Sequence, residues 1–160
     1  MFPRTHIIWG FLFSLILYLF FPSSIGLIGA SIIFLSSFLI DIDHYLYYVY
    51  KTRNWSIGKS ILWYFKNKEK FKIMTGKQKE RIYTGLCFLH GAEALLILFV
   101  FALIPNPFSL FAIFIAIGFI FHLMLDAIDL YIRNFTFDKV ISFIYSVKNA
   151  KDKTLLQDLK

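Results

Sequence analysis

The chain has 160 residues, 58% of them hydrophobic, 20% aromatic and 17% charged, with a formal net charge of +7. Soluble domains average about 45–50% apolar and about 25% charged, so the apolar excess argues for a membrane protein and against a soluble domain with a large core. A single cysteine, Cys87, excludes an internal disulfide framework and a thiolate zinc cluster.

Taken from the N-terminus, Arg4 and the apolar run 7–21 have the outline of a signal peptide. Residues 22–26, Pro-Ser-Ser-Ile-Gly, lack an Ala-x-Ala-like cleavage site, and a second apolar run follows at once. The first helix is therefore expected to be retained. Four apolar segments follow one another, at about 5–21, 25–50, 86–104 and 108–131. Each is near or above the roughly 17–25 residues that cross a bilayer as a helix. Pro22 and the Pro105-Asn106-Pro107 turn mark helix ends, because proline cannot continue the hydrogen-bond ladder.

The basic residues fix an orientation. Arg4 precedes the first segment, ten Lys and Arg lie between the second and third, and six follow the fourth; together these are all 17. The two short turns carry none, so every positive charge falls on one side of a four-span model. By the positive-inside rule that side is the cytoplasm, with both termini inside. The distribution points to anionic lipid headgroups and away from nucleic acid.

The expected fold is an all-α membrane protein: a four-transmembrane-helix bundle with one or two interfacial amphipathic helices. The membrane domain covers 1–134, including a cytoplasmic basic loop at 51–85; residues 135–160 form an amphipathic helix and tail. In the loop, Trp55, Ile57, Ile61, Leu62, Trp63 and Phe65 alternate with Lys59, Lys66 and Lys68. In the tail, Phe137, Val140, Ile141, Ile144 and Val147 recur at helical spacing. Either stretch can lie on the inner leaflet or dock on the bundle.

Ionisable groups interrupt these apolar runs in a pattern. Asp41, Asp43 and His44 fall within four residues; the other histidines are His6, His90 with Glu93 nearby, and His122 with Asp126 and Asp129. A charged group inside a span costs about 2.5–3.5 kcal/mol on insertion scales, so such groups are expected to partner one another. At about 1.5 Å per residue, the groups on all four helices fall within roughly ten Å of one level, in the cytoplasmic half. Spacings of three and four place Asp41 with His44, His90 with Glu93, and His122 with Asp126 on shared faces. Asp43 sits about 200° from Asp41 on a regular helix and suits an outer role. Imidazoles and carboxylates without thiolate suit zinc, with manganese or iron as alternatives, as one or two ions. The expected ligands are His6, Asp41, His44, His90, Glu93, His122 and Asp126. A proton relay through the same groups is the competing reading.

Thr5-His6, Asp41-Ile42-Asp43-His44, His90-Gly91-x-Glu93 and His122-Leu123-x-Leu125-Asp126, in this order over residues 5–129, resemble the membrane-bound metal-dependent hydrolase family, inner-membrane hydrolases that include a LexA-binding relative. Many members carry Pro where this chain has Ile40, and His-Arg-Gly-x-Thr-His-Ser where it has Leu89-His90-Gly91-Ala92-Glu93. The resemblance implies a multi-helix membrane protein with a metal-dependent hydrolase site. A metal at headgroup depth would activate water against a lipid-derived ester or phosphoester. Glu93 and Asp43 are the candidate general bases, and Arg81, Arg133 and the loop lysines the candidate phosphate contacts. No Gly-x-Ser-x-Gly element is present. The alternatives are a component of an ion, proton or metal transporter, and a non-catalytic membrane scaffold with a structural metal.

Overall fold

The computed structural model describes residues 3–72, 82–83, 88–132 and 154–155. Six helices dominate: α1 (Pro3–Phe20), α2 (Pro22–Leu39), α3 (Ile42–Thr52), α4 (Ile57–Lys72), α5 (Ala92–Leu103) and α6 (Ser109–Ile132). One parallel pairing of two-residue strands, β1 (Ile82–Tyr83) and β2 (Thr154–Leu155), sets Ile82 opposite Thr154. The chain divides into two compact units, Met1–Asp41 with Leu89–Ser142, and Ile42–Phe88 with Phe143–Lys160.

In the first unit α1 packs on α2, α2 on α6, and α6 on both α5 and α1. The chain reverses between α1 and α2 at Phe21. Pro22 opens α2 at a position where its missing N–H costs nothing and its fixed φ suits a helix. Gly26 then takes φ 60° and ψ 176°, a conformation open essentially to glycine, and kinks the first turn of α2. The α5–α6 reversal is built on Asn106. Its Oδ1 accepts the Phe108 N–H at 2.8 Å, its Nδ2 donates to the Ile104 carbonyl at 2.7 Å, and its own carbonyl accepts the Ser109 hydroxyl at 2.6 Å.

Small residues set the helix spacing. A Cβ added to Gly10 of α1 would collide with the Ser37 hydroxyl of α2. One added to Gly118 of α6 would collide with the Ser36 hydroxyl and stand 2.5 Å from the Ile33 carbonyl oxygen. One added to Gly29 would meet the Phe114 ring at 2.8 Å. Close backbone approach over Gly and Ser is how helices associate in lipid. The unit buries polar side chains among Ile33, Ile40, Phe114, Phe119 and Leu125 and exposes apolar ones. His6, Ser14, Ser36, Ser37, His90 and His122 are buried, whereas Leu27, Ile28, Leu96, Ile97 and Leu103 are exposed.

In the second unit α4 packs on α3. Trp63 meets the Tyr48 ring edge-on at 5.6 Å, and the Tyr64 hydroxyl donates to the His44 carbonyl at 2.6 Å. Ser56 caps α4, its hydroxyl accepting the Lys59 N–H. Ile57, Ile61, Leu62 and Phe65 stay exposed on the other side of α4.

Two expectations are corrected. The segment 25–50 is two helices, α2 and α3, broken at Ile40–Asp41. Asp41 stands immediately before α3, at an N-cap position that favours aspartate. The segment 86–104 is helical only from Ala92, so His90 lies in a turn and does not share a helix face with Glu93. With 12 residues α5 extends about 18 Å. Two runs are long and apolar enough to cross a membrane, Pro22–Thr52 and Ser109–Asp129; Arg4–Phe20 and Ala92–Leu103 are shorter apolar helices. The expected tail helix at 135–147 lies outside the described residues, as do Arg81 and Arg133.

Candidate metal centre

Within the first unit α1 begins, α2 ends, α5 begins and α6 ends at one place, and the ionisable groups converge there. His6 comes from the first turns of α1, Asp41 from the turn after α2, and His90 from the turn before α5. His122 and Asp126 lie one turn apart on α6.

The separations are those of a ligand set. His90 Nε2 lies 3.1 Å from His122 Nε2, 3.4 Å from Asp41 Oδ1 and 3.7 Å from Asp126 Oδ2. His122 Nε2 lies 3.7 Å from Asp41 Oδ1 and 3.3 Å from Asp126 Oδ2. Four donors at zinc bond lengths of about 2.0–2.1 Å in a tetrahedron stand about 3.3–3.4 Å apart. The five separations bracket that value, and within this unit His90, His122 and Asp126 form one metal-sized triad and His6, Asp41 and His122 another. Both histidines are buried, and the Asp41 and Asp126 side chains are only 21% and 14% exposed. Two carboxylates bring two negative charges into this site, and a divalent cation offsets them. The cluster can hold a metal ion.

The structure also fixes how His122 is held. Its Nδ1 lies 2.7 Å from the Ser37 carbonyl, which can only accept, so Nδ1 carries the proton and Nε2 faces Asp41, His90 and Asp126. A carbonyl in mid-helix normally accepts the N–H four residues on. Here the Asp41 N–H bonds instead to the Phe38 carbonyl at 3.2 Å. The break before α3 therefore leaves the Ser37 carbonyl for His122. Such an acceptor behind the ring is the usual support of a metal-binding histidine.

His6 lies beside these residues, and one of its ring nitrogens is within 4.8 Å of donor atoms of Asp41 and His122. Its ring stacks on that of His122, with centroids 4.0 Å apart and planes at 19°. Its Nε2 lies 3.2 Å from Asp126 Oδ1, the oxygen turned away from the His122 contact.

His6, Asp41, His90, His122 and Asp126 come together in the first unit. His44 and Asp43 belong to the second unit, where His44 meets the Tyr64 ring at 5.5 Å and Asp43 is buried in the first turn of α3. Glu93, in the first turn of α5, has no place in the metal-sized clusters found among the described residues. Sequence reasoning missed three residues. Ser37 acts through its backbone, for which no side-chain signal exists. Gly10 and Gly118 did leave one: each lies four residues from a site histidine, on the same helix face, and closes the helix contact that brings that histidine in.

No family model matches the chain, and no curated protein or solved structure shows significant similarity to it.

Proposed function

We propose that this chain is an integral membrane metal-dependent hydrolase. One divalent ion, held by Asp41, His90, His122 and Asp126, would serve a lipid-derived ester or phosphoester. The carrying observation is that the facing Nε2 atoms of His90 and His122, 3.1 Å apart, each lie within 3.7 Å of a carboxylate oxygen of Asp41 and of Asp126, in a helical unit whose outside is apolar. Two imidazoles with two carboxylates suit zinc, and manganese or iron next.

The membrane arrangement belongs to the same proposal: four membrane helices in the inner membrane, with the site at the cytoplasmic end and both termini cytoplasmic. Support comes from the two long apolar runs, the exposed apolar side chains and the confinement of all 17 basic residues to one side. The exposed strip Ile57, Ile61 and Phe65, with Lys59 and Lys66 on the same helix, would rest α4 among anionic headgroups.

In such an enzyme the ion would supply Lewis acidity and bring water within reach of ionisation near neutral pH. The Ser37 carbonyl holds His122 in the binding tautomer. Glu93 is the first-unit carboxylate proposed to take the proton from water. The sequence resemblance to membrane-bound metal-dependent hydrolases supports the reaction class.

One observation favours a second reading, a structural metal. Four protein donors complete a tetrahedron, whereas catalytic zinc keeps a position for water. The deciding experiment is metal analysis of the purified protein, with turnover of a lipid ester and phosphoester panel under added Zn²⁺ or Mn²⁺. His122→Ala and Asp41→Asn should abolish metal and turnover together, and Glu93→Gln should abolish turnover alone. One tightly held ion with no turnover on any member establishes the structural reading. A metal-free protein that takes up neither ion refutes both.

A further inference from the structure

We infer that His6 is not a ligand but the residue that fixes Asp126, so that the metal proposed above sees two imidazoles and not three. The inference rests on that metal reading and divides the cluster by hydrogen-bond accounting.

A histidine that binds a metal through one ring nitrogen carries a proton on the other, and that N–H needs an acceptor when buried. His122 meets the requirement through the Ser37 carbonyl. His6 does not. It is buried, and its Nδ1 has no hydrogen-bond partner. If Nε2 bound the metal, the proton would sit on Nδ1 as a buried donor without an acceptor, at a cost of about 1–3 kcal/mol.

The opposite tautomer leaves no N–H unpaired and puts the only proton where an acceptor faces it. Nε2 faces Asp126 Oδ1 at 3.2 Å, and an ionised carboxylate only accepts. With the proton on Nε2, His6 donates to Oδ1, and Nδ1 keeps a lone pair. A protonated Nε2 has no lone pair for a metal. Oδ1 is thereby occupied, and Oδ2 is left toward His90 and His122, at 3.7 and 3.3 Å. The stacked rings of His6 and His122 hold donor and ligand side by side at 4.0 Å. His6 is a positioning residue: it keeps Asp126 bound through one oxygen.

The test uses the full-length protein in detergent, stripped of metal and titrated with Co²⁺ alone, following the visible d–d bands. Wild type should take one equivalent with the intense bands of a tetrahedral site. His6→Gln keeps an N–H donor at similar reach. It should retain stoichiometry and band shape, with affinity within about threefold of wild type. His6→Leu removes the donor and should bind about 10–100-fold more weakly, still at one equivalent. His122→Gln should lose the tetrahedral bands. The inference is overturned if His6→Gln loses those bands as His122→Gln does, which makes His6 a ligand. It is equally overturned if wild type takes two equivalents and His6→Gln one, which makes His6 part of a second metal position. Absence of Co²⁺ uptake by wild type overturns the metal reading itself and this partition with it.

Discussion

At the scale of single residues, His122 is the side chain on which the site turns. It is fully buried, proton-donating at Nδ1 to Ser37, and within 3.7 Å of Asp41, His90 and Asp126 through Nε2. A ligand that binds only the folded state adds stability by mass action, about 2.7 kcal/mol at a hundred times its Kd. The unfolding midpoint of the purified protein should therefore climb with added Zn²⁺ and fall back on chelation. His122→Ala should show neither response. A midpoint in His122→Ala that still tracks Zn²⁺ would place the ion elsewhere. The histidines themselves were legible in the sequence, because imidazoles and acids at one depth on apolar helices have few uses. So were Asp41 and Asp126, which join them; the place of Glu93 was not. Glu93 shares a helix face with His90 only if both are helical, and Gly91, in extended conformation at φ −95° and ψ 154°, starts α5 one residue too late for that.

At the scale of elements, what matters is how closely α1 and α6 can approach α2. Gly118 faces the Ile33 carbonyl, part of a backbone that cannot swing aside, while Gly10 faces the Ser37 hydroxyl, a side chain that can rotate. Gly118→Ala should accordingly cost about 1–3 kcal/mol, in the range of overpacked cores. It should also weaken metal binding, because α6 is displaced one turn from His122. Gly10→Ala should do less on both counts. Denaturant unfolding in detergent and Co²⁺ titration read the two effects. Equal behaviour of the two variants would mean that the glycines do not set helix spacing. The helices were readable from apolar runs and from Pro22 and Pro105, and α6 falls within a residue of the expected 108–131 segment. The break at Ile40–Asp41 was not, since no Pro or Gly marks it. Its consequence, a backbone carbonyl left for His122, has no trace in side-chain pattern.

At the scale of the whole molecule, the question is how the chain meets the bilayer. Among the described residues only Pro22–Thr52 and Ser109–Asp129 meet the length and apolarity of a span, and α5 covers about 18 Å of a hydrocarbon core about 30 Å thick. Burial argues beyond length, however. Residues as apolar as Leu96, Ile97 and Leu103 of α5 are exposed, and α5 has no buried residue at all, while three histidines and three serines are buried in the unit. In water that distribution would expose far more apolar surface than a soluble monomer carries; in lipid it is the expected one. If α5 is lipid-facing, its shortfall is made up by the turns at its ends: Leu89–Gly91 beside the buried site, and Pro105–Pro107 with its Asn106 bonds. The Phe21–Ser24 and Pro105–Pro107 turns then lie on the face opposite the site. In a Cys87→Ser background, Ser24→Cys and Asn106→Cys should react with a membrane-impermeant maleimide added to intact cells. A reporter fused after Lys160 should be active only in its cytoplasmic form. Protection of Asn106→Cys with labelling of Ser24→Cys would make α5 a helix that does not reach the outer surface. An externally active reporter at the C-terminus would invert the orientation, and with it the assignment of the site to the cytoplasmic leaflet.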